Sequence, residues 1–372
     1  MVAGEASGDQ HGAGLVAELL HRDADLAIRG IGGSRMAAAG AKLCMDAGEL
    51  AVVGLTEVIA KLPEIMRGLR ALRQIMDQWQ PDLVILIDYP DFNFRVAAMA
   101  KQRKIPVLYY VSPQIWAWRT GRVKKLKTLV DHMAVILPFE PPFYHRCGVP
   151  VTYVGHPLLD HARLPATPAM AAPSPANEPV VGLLPGSRNG EVARHLPVIL
   201  DAARLITGIH PGVRFILPLA PTVDAEKIRR LAAPYFHAID LELSSAGMGP
   251  VLGRCRTAVV ASGTATLETA LAGVPMVIVY KLSPLTYHLG RRMIQVDHIG
   301  LVNLIARERV AVELIQDEAH PQAIAREVGR LLADPRHYQE IQAKLGRVRQ
   351  RLGTAGAARR VAQLAFNLLP AT

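Results

Sequence analysis

The sequence predicts an α/β protein with two parallel-sheet domains, and three observations carry that prediction. Short apolar runs rich in Val, Ile and Leu recur along the chain, each followed by a Gly- or Pro-marked loop and a helix-length amphipathic stretch. The runs are nearly free of charge, as strands covered on both faces are. A length of 372 residues fits two cores better than one, and the pattern breaks once, in a Pro/Ala-rich segment near the middle.

Taken in order, the first run is the short Met1–Ala3, followed by Gly4-Glu5-Ala6-Ser7-Gly8-Asp9 and a helix through Leu20. An amphipathic helix over Pro63–Gln78 precedes the runs Leu83–Ile87, Val107–Val111 and Met133–Leu137. Arg163–Pro179 then holds five Pro and five Ala in 17 residues. That much proline suppresses both helix and central strand, so the segment reads as a linker. The pattern restarts at Val180, with runs Val181–Leu184, Phe215–Leu217, Ala258–Ala261 and Met276–Val279. Strands alternating with helices imply right-handed βαβ units. Domains at 1–162 and 180–344 follow, joined by 163–179, while the last helices (about Thr354–Leu369) need not belong to the second domain.

Composition narrows the function. Half of the residues are hydrophobic and 20% charged, which excludes a disordered chain, and 30 Gly and 27 Pro without a repeat exclude a collagen-like one. Cys44, Cys147 and Cys255 lie far apart, against a disulfide scaffold or a structural zinc site. The N-terminus lacks the basic and apolar regions of a signal peptide, and no apolar run approaches the roughly 18 residues that span a bilayer. A soluble or peripheral protein is expected. The formal net charge of +10 admits nucleic acid, an anionic membrane or phosphorylated ligands as partners.

Four strand-end loops attract attention, because ligands of open α/β sheets bind beyond the carboxyl ends of strands. Gly4 to Asp9 opens a helix whose N-terminus favours an anion or polar ligand; the alternative is a plain turn capped by Ser7 or Asp9. It does not match GxGxxG. Asp88-Tyr89-Pro90-Asp91-Phe92-Asn93 places a carboxylate, Asp88, at the end of a buried strand. Partial burial there raises a carboxyl pKa toward neutrality, where a general base works efficiently. The alternative is that Asp91 or Asn93 merely caps the next helix, and Asp91 is read that way. Gly186-Ser187-Arg188 opens a helix with amides, a hydroxyl and a guanidinium that suit a phosphate, unless Ser187 only caps it and Arg188 pairs with Glu191. Ser262-Gly263-Thr264-Ala265 lets a phosphate approach backbone, and Glu268 stands one helical turn further on, within reach of vicinal sugar hydroxyls. The bland reading there is an N-capping turn followed by a helical Glu.

Two stretches concern surfaces. In the helix near 63–78, Leu62, Ile65, Met66 and Leu69 share a side with Leu72, Ile75 and Met76, while Arg67, Arg70 and Arg73 interleave. A core-facing helix with a solvated basic face explains this pattern, and so does a membrane-surface helix whose arginines meet anionic head groups. Arg119–Lys127 holds five basic residues beside Trp116 and Trp118, a poor base-stacking platform, so nucleic acid is not expected as a partner. His156, in Gly155-His156-Pro157, reads as structural.

At these loops the sequence closely resembles the lipid-A-disaccharide synthases, bacterial membrane-associated glycosyltransferases. The resemblance is carried by VAGEASGD (2–9), IDYPDFN (87–93), SPQIWAW (112–118), LPFE (137–140), VGHPLLD (154–160), LPGSRNGEV (184–192), ASGTATLE (261–268) and VNLIA (302–306), in family order over nearly the whole chain. It implies a GT-B architecture, two Rossmann-like domains facing across a cleft, with the C-terminal helices (about 345–372) returning to the N-terminal domain. It further implies that UDP-2,3-diacylglucosamine reacts with 2,3-diacylglucosamine 1-phosphate (lipid X) to give a β-1,6-linked disaccharide 1-phosphate and UDP, with inversion. In these terms Asp88 is the base, and Ser187, Arg188 and the amides at Ser262–Ala265 stabilise the leaving diphosphate. Gly186 belongs to the same turn. Glu268 holds the ribose, and Gly247-Met248-Gly249 frames the uracil. Glu5 and Asn303 match family positions linked to activity. The resemblance implies no cofactor and no metal, a peripheral place on the anionic cytoplasmic face of the inner membrane, and either a monomer or a C-terminally swapped homodimer.

The chain departs from the family pattern at Val302 and Val312, where proline is usual, and at Ala306-Arg307-Glu308, where the family has AGR. The first strand also looks shortened. A UDP-N-acetylglucosamine 2-epimerase-like enzyme, which shares the fold and nucleotide loops but needs no lipid surface, is the competing enzyme class. A non-catalytic UDP-sugar or lipid-binding protein is the competing binding module.

Overall fold

A computed structural model describes residues 1–50, 61–118, 120–161, 178–282 and 297–369. The chain divides into two compact units, Met1–His161 with Leu352–Thr372, and Ala162–Arg351. All but the last two residues of the linker expected at 163–179 lie outside the described residues.

Among the described residues, the first unit is built on a seven-stranded sheet of order β3-β2-β1-β4-β5-β6-β7. The strands are β1 (Val2–Ala3), β2 (Arg29–Gly32), β3 (Lys42–Asp46), β4 (Val84–Ile87), β5 (Val107–Tyr110), β6 (His132–Val135) and β7 (Val151–Tyr153). Every neighbouring pair is parallel. All residues of β4 and β5 are buried, which is why both read as unbroken apolar runs. Each fully buried Leu, Ile or Val there contributes about 1.5–3 kcal/mol relative to exposure.

Among the described residues, the second unit carries a six-stranded parallel sheet of order β10-β9-β8-β11-β12-β13. Its strands are β8 (Val180–Leu184), β9 (Arg214–Pro218), β10 (Asp240–Ser244), β11 (Thr257–Ala261), β12 (Met276–Tyr280) and β13 (Val312–Ile315). Helix Pro335–Arg351 stays with this unit, and the chain rejoins the first unit from Leu352. The last helix, Ala357–Leu368, packs on helix Ala6–Arg22. Asp160 caps it: its carboxylate accepts the N–H groups of Gly356 (2.6 Å), Ala357 (3.1 Å) and Ala358 (3.1 Å). Arg360 adds a bond to the Val154 carbonyl at 2.7 Å.

Asp9 plays a similar part, though not as a cap of its own helix. Its buried carboxylate accepts N–H groups from Gly33 (2.7 Å), Met36 (3.0 Å) and Arg35 (3.2 Å), the start of helix Ser34–Ala38. Asp9→Ala leaves three donors without their charged acceptor, and a loss of about 2–4 kcal/mol is expected in urea unfolding of the first unit.

Helix Leu62–Trp79 turns Gly68, Leu72 and Met76 into the core, and Ile65 and Leu69 pack against the same cluster. Those two do not belong to the outward set expected from the sequence, because the apolar stripe is wider than the exposed face. Leu62 (48% exposed) and Met66 (38%) remain at the surface beside the exposed Arg67, Arg70 and Arg73. Arg67 lies 3.7 Å from Glu49, and Arg73 lies 3.8 Å from Asp77. No helix among the described residues is long and apolar enough to cross a membrane.

Candidate active site

In each sheet the strand order reverses once, beside the first strand of the unit. These reversals, between β1 and β4 and between β8 and β11, are the places where parallel α/β sheets open a crevice for ligands. The four loops marked by the sequence sit on those strand ends.

In the first unit, Ala3 pairs with Ile87, so Glu5 and Asp88 leave neighbouring strand ends. Only a glycine fits at position 4, because a Cβ there would lie 2.2 Å from the Tyr89 ring. Asp88 and Tyr89 both adopt φ of +49°, a left-handed conformation that costs a non-glycine residue about 1–3 kcal/mol. A set of bonds holds them there. The Asp88 N–H donates to the Tyr110 carbonyl (3.1 Å), and the Asp88 carbonyl accepts from the Tyr109 hydroxyl (2.7 Å) and Asn93 Nδ2 (2.6 Å). Asn93, fully buried, is therefore a clamp on the Asp88 backbone and not a helix cap. Asp91 is exposed and pairs with Arg122 at 2.7 Å. Burial raises the Tyr89 hydroxyl pKa, with the nearby charges of Glu5 and Asp91 adding to it. His156 is buried and structural: its Nδ1 accepts the Leu158 N–H at 3.2 Å, and burial, helped by neighbouring His11, lowers its pKa to about 3.

In the second unit, Gly186 takes φ of +121°, and a Cβ there would lie 2.6 Å from Glu191 Oε2. Glu191 folds back over the turn, accepting the Ser187 N–H (3.1 Å) and meeting Arg188 Nη1 (3.3 Å). With half of its side chain exposed, Arg188 can exchange this contact for an anion on the open side of the loop. Thr222 fixes the turn from below by donating to the Ser187 carbonyl at 2.6 Å.

At the facing strand end the structure corrects one expectation. The Ser262 N–H belongs to the sheet, donating to Val279 at 3.0 Å, and its hydroxyl donates to Ile299 at 3.4 Å, so neither is the free donor the sequence implied. Helix Thr264–Leu271 starts just beyond, and the first-turn amides at Thr264 and Ala265 have no acceptor within the helix. Among the described residues, and apart from its chain neighbours, nothing lies within 4 Å of where a Gly263 Cβ would be, which leaves its backbone open there. The Glu268 carboxylate makes no hydrogen bond or ion pair among the described residues, and burial raises its pKa. Helix Met248–Leu252, with Met248 half-buried and Gly249 exposed, packs against helix Thr264–Leu271.

Asn303 is fully buried with all of its hydrogen-bonding capacity used. Its Nδ2 donates to the Ala311 carbonyl (2.8 Å) and Glu313 Oε1 (2.7 Å), and its Oδ1 accepts the N–H groups of Val310 (2.8 Å) and Ala311 (2.9 Å). Glu313 in turn accepts the Ile299 (2.9 Å) and Gly300 (3.0 Å) amides. Asn303, grouped with the catalytic residues on sequence, through these bonds ties the 299–300 segment to β13. Val302 stands in the first turn of helix Leu301–Ala306, where a proline and a valine serve equally because the N–H has no intrahelical acceptor. Arg307 is different. It ends that helix with φ of +55° in the place of the family's glycine. Arg307→Gly relieves the left-handed strain, and an increase of about 0.5–1 kcal/mol in stability is the expected result of a denaturant titration.

Sequence reasoning missed His195. It is buried, donates from Nδ1 to the Pro185 carbonyl (3.0 Å) and accepts the Lys281 N–H at Nε2 (2.9 Å), so it ties the ends of β8 and β12 together as a neutral ring. No local spacing announces such a long-range bridge. Among the described residues no group of three or more His, Cys, Asp or Glu is gathered as metal ligands.

The sequence model of the lipid-A-disaccharide synthetase family matches residues 1–367. A lipid-A-disaccharide synthase of Geobacter metallireducens is 50% identical over 374 residues, covering 99% of this chain and 96% of its own. The chain belongs to the lipid-A-disaccharide synthase family. It is thus an enzyme of the glycosyltransferase class, and its two Rossmann-like units have the GT-B fold. A lipid-A-disaccharide synthase of Coxiella burnetii is 45% identical over 376 residues, 99% of this chain and 98% of its own. The fold is wider than the family: a UDP-GlcNAc 2-epimerase from Neisseria meningitidis, solved bound to UDP-GlcNAc, matches with a TM-score of 0.61 over 97% of each chain at 12% identity. That likeness concerns the fold alone and does not favour the epimerase alternative against a family match spanning the chain.

Proposed function

We propose that this chain joins UDP-2,3-diacylglucosamine to 2,3-diacylglucosamine 1-phosphate (lipid X), releasing UDP and forming the β-1,6-linked disaccharide 1-phosphate. The observation that carries the reading is that each strand-order reversal bears the chemistry one substrate requires. Two carboxylates stand at the β1/β4 ends, and a Gly-Ser-Arg turn and a helix start stand at the β8/β11 ends.

Asp88 accepts the proton of the acceptor 6-hydroxyl as its oxygen attacks the donor anomeric carbon. The bond from that carbon to the diphosphate breaks in the same step, and its electron pair stays on the leaving oxygen. Charge growing there is met by Arg188 and by the amides at Thr264 and Ala265, which are already oriented and need no rearrangement. Arg188 exchanges Glu191 for the diphosphate. Glu268 accepts the ribose hydroxyls, and the turn at Gly247-Met248-Gly249 borders the base. Ser187 and Gly186 shape the phosphate turn, and Glu5 contacts the acceptor beside Tyr89. Leu62 and Met66, with Arg67, Arg70 and Arg73, suit the cytoplasmic face of an anionic inner membrane, where the acylated substrates lie. The last helix, docked on its own chain's first unit, supports a monomer, and the same contacts made with a second copy would give the swapped homodimer.

The test is to incubate the purified protein with both substrates in mixed micelles and follow UDP and disaccharide. Equal amounts of both are expected. UDP release without disaccharide, or a UDP-sugar isomer as the product, would overturn the reading.

A further inference from the structure

The motifs SPQIWAW and LPFE take no part in the chemistry above, yet the fold locks them to each other. Glu140, the first residue of helix Glu140–Arg146, is 1% exposed. Its Oε1 accepts the Trp116 indole N–H at 3.1 Å, and its Oε2 accepts the Leu137 N–H at 2.8 Å. Phe139 packs edge-on against Trp116 with ring centroids 4.7 Å apart. Ser112, at the other end of the same loop, is hydrogen-bonded to the Tyr144 hydroxyl of the Glu140 helix.

The loop so gripped begins at Val111, a β-branched residue at φ of +63°, a conformation that persists only where its surroundings impose it. Its N–H donates to the Ala134 carbonyl of β6 at 3.1 Å. The preceding residue, Tyr110, accepts the Asp88 N–H, and Tyr109 donates to the Asp88 carbonyl. An unbroken line of contacts therefore runs from the Glu140 carboxylate to the backbone of Asp88.

We propose that Glu140 is a positioning residue, whose ionised carboxylate holds loop 111–118 and, through the end of β5, sets the geometry of Asp88. The groups facing it are Ser112 and Trp116 from the loop, the Ile136 and Leu137 amides, Tyr144 on its own helix, and Tyr153 on β7 with Arg360 beyond it. No cation pairs with Glu140 among the described residues. Burial raises its carboxyl to about 7, against bonds from Leu137, Trp116 and Ser112 that favour the ion.

The ion offers both oxygens as strong acceptors, and a proton on either turns that oxygen into a donor with a weaker remaining lone pair, loosening Trp116 or Leu137. The grip is complete above about pH 7 and weakens as pH falls through it. Global stability runs the other way. The folded chain keeps this proton to a higher pH than the unfolded chain, so ionising Glu140 lowers stability as pH rises from the ordinary carboxylate range to about 7.

The activity arm of the test rests on the proposed function, and the optical arm does not. In wild type, kcat is expected to rise about tenfold between about pH 6 and 8 with little change in KM, as a displaced base loses rate more than binding. Glu140→Gln, whose amide supplies one acceptor where the carboxylate supplies two, stays near the lower rate and lacks that inflection. Trp116→Phe removes a donor that favours the ion and moves the inflection to higher pH. In a Trp79→Phe, Trp118→Phe background, Trp116 emission titrates near the same pH, and adding Glu140→Gln abolishes that titration. A Glu140→Gln rate profile that keeps the wild-type inflection, or Trp116 emission flat across this range, overturns the proposal. Failure of wild type to form disaccharide at any pH would instead strike the proposed function, leaving the emission titration to decide on Glu140.

Discussion

Asp88→Asn lowers kcat by about a thousandfold while leaving UDP affinity within about twofold of wild type. The direction follows from what the substitution changes. The bonds from Tyr109 and Asn93 and to Tyr110 that hold Asp88 in its left-handed conformation are made to its backbone, and an asparagine keeps all three. What disappears is the proton acceptor assigned to the 6-hydroxyl, because an amide nitrogen cannot take that proton. In the proposed reaction UDP is held by the second unit, so its affinity is expected to stay unchanged. Steady-state kinetics together with calorimetric UDP titration separates the two effects. Equal losses of kcat and UDP affinity would show that Asp88 supports the fold of the site and not the proton transfer.

Arg188→Ala produces the complementary pattern, a loss of about 100- to 1,000-fold in kcat/KM with weakened UDP binding. The arginine opens helix Asn189–Ile209 and meets Glu191, and its removal keeps the bonds that shape the turn: Ser187 stays bonded to Glu191 and Thr222. Arg188→Lys restores part of the binding but little of the rate, because an ammonium cannot reproduce a guanidinium's paired hydrogen bonds to phosphate oxygens. Stopped-flow UDP release and calorimetry measure both quantities. Unaltered UDP affinity in Arg188→Ala would remove the arginine from the donor site.

Much of this site is legible in the sequence, because its groups sit on loops directly after strands, and strand ends are visible as the termini of apolar runs. Asp88 and Arg188 stand just beyond the ends of β4 and β8, and Glu268 in the helix that follows β11. Residues that work through distant partners are not legible in this way. Asp160 caps a helix 196 residues later, and the two ends of the Glu140–Trp116 bond are 24 residues apart. No periodicity records such pairings. Asn303 stood out in the sequence only by family likeness, and its meaning changed once Glu313 and the Val310 and Ala311 amides were seen to consume its hydrogen bonds. Helix Leu62–Trp79 marks a different limit. A stripe of apolar residues announces an amphipathic helix but not its width, so Ile65 and Leu69 could not be told from Leu62 and Met66 until the core beneath them was known. Ser262 misled for a related reason: a small residue at a strand end looks like a free donor until the register shows its N–H in the sheet.

The central claim is a single displacement, with one base in the first unit and one stabilised leaving group in the second. The configuration of the new glycosidic bond tests it most directly, read by proton NMR from the anomeric coupling of disaccharide made by wild-type protein from α-linked UDP-2,3-diacylglucosamine. The account predicts a β linkage formed with one UDP per disaccharide. An α linkage would require two successive displacements or front-side attack, and would contradict it.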